Sequence, residues 1–306
     1  ADDGIADAIR GALPLDELVL DETERANLGV DDRRNLKNRD DYLANLIASG
    51  GKTVIYVNSR EQSVAVARTL RKRVPQMAPL IGFYNAGLTR AERARVEQLF
   101  RTDALKVLVA TSAFGEGVNL PDVRDVVLYG LPYGAVELNQ MSGRAGRDGL
   151  PARVHMLFSA RDMRVNERVI SQAAPARDDL VALYRSIRTL ADASGRLTSS
   201  DEELLAMTAR VAPALHVSEQ EVQSGLSVFA ELGFLTVSGW GEKRCIVVET
   251  SPARMELARS ARYLEGENLR EEFREFADWV FSCPCEELLA HIDRPITPGF
   301  GSTVTE

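Results

Sequence analysis

The feature that most restricts the fold is a series of five short apolar runs, each leading into a loop or a segment with helical spacing. The runs begin at Thr53, Leu80, Val107, Val126 and Val154. Short buried strands that alternate with amphipathic helices are typical of βαβ units and a parallel sheet. Ligands bind such sheets at the carboxyl ends of the strands, so the loops after the strands are the candidate positions for chemistry.

A different pattern begins near residue 173. Helical spacing recurs around Leu183, Leu204 and Leu226, and two strands, 234–237 and 245–248, then follow around a glycine-containing turn. Three helices followed by a hairpin are typical of a winged-helix domain. The predicted organisation is a linker or domain end at 1–24, an α/β domain at 25–172, a winged-helix-type domain at 173–250 and a helical extension at 251–306.

Charge and cysteine content limit the possible partners and location. The net charge of -8 argues against binding of nucleic acid by overall basicity, so any such contact must depend on local groups. No apolar run approaches the roughly 18 residues needed to cross a bilayer. No membrane partner is therefore expected. Three cysteines do not make a disulfide framework in a chain of 306 residues, which favours a reducing cytoplasm.

Three stretches imitate binding motifs without meeting their requirements. Residues 50–53 resemble the end of a phosphate-binding loop. However, Leu46 occupies the position where the motif requires a glycine, and the predicted strand comes after these residues, whereas the motif requires a strand before them. Residues 18–24 imitate an Asp-Glu box for Mg²⁺, but they lie too close to the strand at Thr53. Cys283 and Cys285 are separated by one residue and have no second pair, so the sequence predicts no metal site.

The strongest chemical signal is the stretch QMSGRAGRDG at 140–149. Arg144 and Arg147 are three residues apart in a segment predicted to be helical over 136–147, which would place them on one face. Permanently charged guanidinium forks fit the oxygens of a phosphoryl group under transfer, and the flanking glycines allow close approach. The alternative is a solvated basic helix end capped by glycine.

Several segments together resemble one known family. Residues 140–149 resemble motif VI of RecQ-like superfamily 2 DNA helicases, and residues 107–132 resemble the motif V region. Residues 53–60 resemble motif IV, and 83–100 the segment after it, while 25–28 are similar to the start of the second motor domain. The resemblance covers roughly residues 5–170 and implies a RecA-like second motor domain.

The resemblance implies roles for individual residues. Arg144 and Arg147 would be arginine fingers that reach ATP, which a first motor domain holds with Mg²⁺. The residues implied to lie near the nucleotide and the cleft between motor domains are Gln140, Gly117, Asn119 and Asp148. The residues implied to contact the DNA backbone are Ser59, Arg60, Asn85, Thr111 and Ser112. For Thr111, an ordinary helix cap is an equal alternative.

The chain also departs from the family pattern. Asn85 replaces the usual histidine, Glu116 a methionine and Leu120 a basic residue, and the zinc-binding cysteines that usually follow motif VI are missing. The Walker A lysine and Asp-Glu box belong to the first motor domain. We therefore expect a piece of a longer ATP-dependent helicase of DNA repair or recombination, inactive on ATP alone. Its expected partners are single-stranded or partly duplex DNA and the missing N-terminal motor domain.

Two other functions remain open. Residues 262–266 and 273–279 resemble an extension on RecJ-type single-strand exonucleases fused to a helicase portion. The chain would then be a DNA-binding or regulatory part of such a nuclease. Alternatively, the winged-helix-type domain would be a scaffold that binds a partner protein. Its acidic residues Glu219, Glu221, Glu231 and Glu242 favour this alternative over binding of a DNA duplex.

Overall fold

The computed structural model describes residues 11–13, 25–115, 120–211, 218–239, 244–249 and 256–290. The chain divides into two compact units. The first unit comprises Ala1–Asp162 together with Phe276–Glu306, and the second comprises Met163–Glu275. No helix in the described part of the chain is both long and apolar enough to cross a membrane.

The first unit is built on a six-stranded sheet with the strand order β1-β6-β5-β2-β4-β3. The strands are β1 (Leu28–Asp32), β2 (Thr53–Tyr56), β3 (Ile81–Tyr84), β4 (Val107–Ala110), β5 (Asp125–Leu128) and β6 (Ala152–Met156). The helices are α1 (Arg39–Ala48), α2 (Arg60–Arg73), α3 (Arg90–Arg101) and α4 (Ala135–Ser142), with a 3-10 turn at Pro75–Leu80. Every pair of neighbouring strands is parallel, which confirms the predicted α/β class.

The core of this unit lies where helices cover the middle of the sheet. All residues of β2 and β4 are buried, as expected of parallel strands covered on both faces. Ile55 and Val109 of the sheet pack in one cluster with Leu43 and Ile47 of α1 and Leu70 of α2. The strand ends are therefore held firmly enough to fix the loops that leave them.

The second unit contains helices and a small antiparallel sheet. Its elements are α5 (Ala160–Ala173), which begins in the first unit, α6 (Arg177–Leu190), β7 (Arg196–Thr198), α7 (Asp201–Val211), α8 (Glu219–Glu231), β8 (Leu235–Ser238), β9 (Cys245–Val248) and α9 (Ala261–Ser282). Ser218 accepts a hydrogen bond from Glu221 N and caps α8 as predicted. The sheet order is β7-β9-β8, and β7 was not predicted. Assignment as a winged-helix-type domain, like the predicted domain boundaries, stays a prediction.

The chain returns to the first unit at its C-terminal end. From Phe276 the last turns of α9, followed by α10 (Cys285–Ala290), belong to that unit. Arg34, just after β1, donates hydrogen bonds to Val280 O at 2.6 Å and Cys283 O at 3.2 Å. The Cys285 thiol donates to Asp32 Oδ2 at 3.1 Å. These contacts attach residues 276–290 to the strand that begins the described sheet.

Candidate functional site

The candidate site lies at the carboxyl edge of the large sheet. Strands β2, β4 and β3 are consecutive neighbours in the sheet and run parallel. Their loops begin after Tyr56, Ala110 and Tyr84 and therefore leave the sheet at one edge. The five residues predicted to contact DNA all belong to these loops or to the first residue of α2.

The loop after β2 ends in a helix start that can bind an anion. Ser59 caps α2 by accepting a hydrogen bond from Gln62 N at 3.0 Å, and Arg60 is the exposed first residue of the helix. A Cβ atom added to Gly87 would lie 3.5 Å from Arg60 Cδ, so the loop after β3 approaches this helix start. The Gln62 amide is already used by Ser59, and the Glu61 carboxyl also bonds at this helix start. The helix dipole and the exposed Arg60 guanidinium are therefore the groups that favour an anion here.

The other predicted DNA contacts differ in exposure. Asn85 is only 5% exposed, and it donates to Ser63 Oγ and accepts from Gly87 N, both at 2.9 Å. Its side chain therefore holds the loop after β3 in place. Thr111 is half-buried, with its amide donating to Tyr84 O at 3.1 Å, whereas Ser112 is exposed.

The prediction of a helix over 136–147 is wrong at its C-terminal end. Helix α4 ends at Ser142, and residues 143–149 form turns. Arg144 N and Ala145 N donate to carbonyls only three residues earlier, so α-helical hydrogen bonding has ended before Gly146, whose φ of +55 favours glycine. The two arginines therefore lie in turns beyond the helix and do not share a helical face.

Arg144 and Arg147 are nevertheless close together. Both side chains are half-buried, and Arg147 Nε donates to Gly143 O at 3.1 Å. Burial lowers the pKa of Arg147, and the neighbouring charge of Arg144 lowers it further. The repulsion that Arg144 exerts on Arg147 makes this a position at which a bound anion would be stabilised.

The guanidinium of Arg144 lies against the loop that follows β4. A Cβ atom added to Gly115 would come within 2.8 Å of Arg144 Cζ and Nε. Both arginine charges also act on Tyr56, which is buried at the end of β2 and donates to Phe114 O at 3.3 Å. Burial raises the pKa of Tyr56 to about 12, although the two arginine charges act to lower it. The arginine pair therefore lies beside the sheet edge.

Other residues predicted near the nucleotide occupy different environments. Gln140 is exposed on α4. Asp148 pairs with Arg124 at 2.5 Å and accepts from Leu150 N at 3.1 Å. Burial raises the pKa of Asp148, but the hydrogen bonds from Arg124 and Leu150 N outweigh it and hold the pKa below its usual value. Gly117 and Asn119 lie outside the described residues.

Arg25 is a site residue that sequence reasoning did not identify. It is 8% exposed and donates to three carbonyls of the arginine turn: Gly143 O at 3.2 Å, Ala145 O at 2.6 Å and Gly146 O at 2.8 Å. Burial lowers the pKa of Arg25, and the charge of Arg147 contributes. The available signal was the family resemblance at residues 25–28, which marked a domain start without indicating this role.

Alanine at Gly115 is expected to displace Arg144. Gly115 has φ +116, which side chains rarely adopt, so the Gly115→Ala variant should lose about 1–3 kcal/mol of unfolding free energy. The added methyl group would also overlap the Arg144 guanidinium. Urea unfolding and a crystal structure of the variant test both effects. Gly134→Ala is the control, because nothing lies within 4 Å of its added Cβ; equal losses, or an unmoved Arg144, would contradict the prediction.

Lys52, from the stretch that resembles a phosphate-binding loop, has a structural role. Lys52 is 6% exposed at the amino end of β2, where it pairs with Asp103 at 2.9 Å and Asp122 at 2.8 Å. It lies at the sheet edge opposite the candidate site, so it does not form a phosphate-binding loop there. Residues 18–24 lie outside the described part of the chain.

The histidines and cysteines do not converge on an ion-binding site in the described ranges. Buried His155 bonds Asp125 Oδ1 through Nε2 at 2.9 Å and the Tyr42 hydroxyl through Nδ1 at 2.8 Å. Within the described residues, no three His, Cys, Asp or Glu side chains are grouped as metal ligands. His216 and His291 are outside those residues.

Comparison with known proteins identifies relatives of the first unit. Residues 38–149 match the family described as Helicase conserved C-terminal domain. The chain is 37% identical over 126 residues to ATP-dependent DNA helicase RecQ of Haemophilus influenzae, covering 41% of this chain and 20% of that protein. It is 30% identical over 135 residues to the probable ATP-dependent DNA helicase RecS of Bacillus subtilis, covering 44% and 27%.

A further relative is the bifunctional 3'-5' exonuclease/ATP-dependent helicase WRN of Mus musculus, 34% identical over 135 residues, with 44% of this chain and 9% of that protein covered. The matches thus span less than a third of these relatives. Among solved structures, S. cerevisiae Dbp5 bound to RNA and ADP BeF3 aligns with a TM-score of 0.43 and 21% identity, covering 55% of this chain and 46% of that one. Mycobacterium smegmatis helicase Lhr bound to ssDNA and AMP-PNP gives 0.39 and 16%, covering 74% and 33%.

Proposed function

Because this chain carries the C-terminal portion of a RecQ-like superfamily 2 helicase, we propose that it is the second motor half of an ATP-dependent DNA helicase. In this proposal it supplies Arg144 and Arg147 to ATP that a first motor domain holds with Mg²⁺. It also grips the DNA backbone through loops at the carboxyl edge of its sheet. The parent protein acts in DNA repair or recombination in the cytoplasm.

The position of Arg144 against Gly115 is the observation that carries this proposal. It brings a guanidinium to the loop after β4, at the sheet edge where ligands of parallel sheets bind. Phosphoryl transfer spreads negative charge over the equatorial oxygens, and guanidinium forks positioned beforehand stabilise that charge. Arg147 and the partly buried setting strengthen the effect, because charges interact more strongly away from bulk water.

The proposed DNA grip depends on a few local groups. Arg60 and Ser112 are exposed, and Arg60 begins α2, whose dipole favours negative charge at that end. Such groups bind phosphates and do not read base sequence. This agrees with the net charge of -8, which leaves no general basic surface for nucleic acid.

Hydrolysis is proposed to require the other motor half. Lys52 is committed to two carboxylates at the opposite edge of the sheet and is unsuited to holding the nucleotide phosphates. The Walker A lysine and the Asp-Glu box for Mg²⁺ would come from the first motor domain. In this proposal the chain adds arginines to an ATP site whose other residues belong to the first motor domain.

Fusion to a RecQ-type first motor domain tests this proposal. We expect the fused protein to hydrolyse ATP faster when single-stranded DNA is added, and this chain alone to show no hydrolysis. The control is the same fusion with the Walker A lysine of the first domain replaced by alanine, which should remove the activity. A correctly folded fusion that hydrolyses no ATP with DNA would contradict the motor role and favour a scaffold or a regulatory part of a nuclease.

A further inference from the structure

The exposed side of α5 combines positive charge with apolar surface. Arg161, Arg164 and Arg168 are exposed, and their spacing places them on one side of the helix. Val165 and Val169, on the same side, are 51% and 44% exposed. We call these five residues the α5 stripe.

The α5 stripe is not needed to hold the helix in place. Asn166 and Ile170, on the other side of α5, are 0% and 4% exposed and supply the packing contacts. Asp162 pairs with Arg39 at 2.9 Å and is therefore occupied. Across the described ranges, none of the three stripe arginines forms an ion pair.

The stripe places three positive charges on one side of α5. Its guanidinium groups have no carboxylate partner among the described residues. Helical rise separates Arg161 from Arg168 by about 10 Å along the axis. The three guanidinium groups can therefore each contact a phosphate of the same backbone.

We propose that the α5 stripe is a second binding surface for the nucleic-acid backbone, separate from the loops after β2, β3 and β4. This inference rests on the proposed helicase function, which brings DNA to the carboxyl edge of the sheet. Three residues separate the end of β6 from the start of α5, so the helix starts at that same edge. The arginines bind phosphates, while Val165 and Val169 contact sugars or unstacked bases of a single strand.

Salt-dependent binding of the full chain to a labelled oligothymidine strand tests the stripe. The triple variant Arg161→Ala, Arg164→Ala, Arg168→Ala should bind at least about tenfold more weakly at low salt. Each phosphate contact in single-stranded DNA contributes about 0.7 to the slope of log affinity against log salt, so the slope should fall by about 2. Replacing the same three residues with lysine should retain most of the slope, because lysine keeps the charge.

The matched control removes three exposed arginines of other helices: Arg185→Ala, Arg188→Ala, Arg210→Ala. Its salt slope should equal that of the wild type. An unchanged slope in the stripe variant, or an equal fall in the control, would overturn the inference. Undetectable binding of DNA by the wild-type chain would also overturn it. The same holds if the stripe variant loses binding to phosphatidylserine vesicles while its affinity for DNA is unchanged. The fusion ATPase assay stands apart, so failure of the stripe and failure of the motor role can be distinguished.

Discussion

Replacing Arg147 with alanine is expected to reduce the kcat of DNA-stimulated ATP hydrolysis about 10³-fold or more in the fused helicase, with a smaller change in KM. The charge that Arg147 stabilises develops mainly in the transition state, so its loss affects the chemical step more than nucleotide binding. Arg144→Ala should have an effect of similar size, because its guanidinium lies against the loop after β4. Steady-state phosphate release at saturating single-stranded DNA measures both variants.

Two further variants make this result specific. Arg153→Ala removes an exposed arginine from β6 and should leave kcat unchanged. Arg147→Lys keeps the positive charge but loses the planar fork, so it should recover only part of the activity. Near wild-type kcat in both Arg144→Ala and Arg147→Ala would refute the arginine-finger assignment while leaving the fold intact.

The second large effect is expected on stability. Arg25→Met should lower the free energy of unfolding by about 3 kcal/mol, because the carbonyls of Gly143, Ala145 and Gly146 lose their shared donor. Gly146 O retains a hydrogen bond from Asn27 Nδ2 at 2.7 Å. Relief of the buried charge and of its repulsion with Arg147 offsets part of the loss, and methionine preserves much of the side-chain packing. Urea unfolding of the chain measures the change.

Arg101→Met is the control for this stability effect. Arg101 is an exposed residue in the last turn of α3, and its replacement should change the unfolding free energy by less than about 0.5 kcal/mol. A loss below about 1 kcal/mol in Arg25→Met would show that the three hydrogen bonds contribute little net stability. In the fused helicase, Arg25→Met should also slow ATP hydrolysis, because the turn that carries Arg144 and Arg147 loses its support.

Local sequence pattern predicted the strands that are buried on both faces. Strands β2 and β4 are buried at every residue and apolar along most of their length, so the apolar runs in the sequence were enough to locate them. Strand β1 was missed because its sequence is LGVDD and only Leu28 is buried. Helix α1 was missed because its fully buried apolar residues, Leu43 and Ile47, provide only one helical repeat among charged neighbours.

The sequence predicted several residues of the candidate site, but it did not predict how they are arranged. The sequence identified Arg144 and Arg147, but the helix ends at Ser142 and both arginines lie in the turns that follow it. The role of Arg25 depends on carbonyls about 120 positions away in the chain, which no local pattern can reveal. Likewise, Asn85 has the polar character of a ligand-binding residue, but folding places it against Ser63.

The contacts of Arg34 with Val280 and Cys283 have a consequence for biosynthesis. Residues 163–275 form an insertion between two stretches that build a single unit. On the ribosome, the sheet emerges long before its final helical partners, so the nascent unit must wait for translation of the inserted segment to finish. The contacts of Arg34 with Val280 and Cys283 can therefore form only after the inserted segment has been translated.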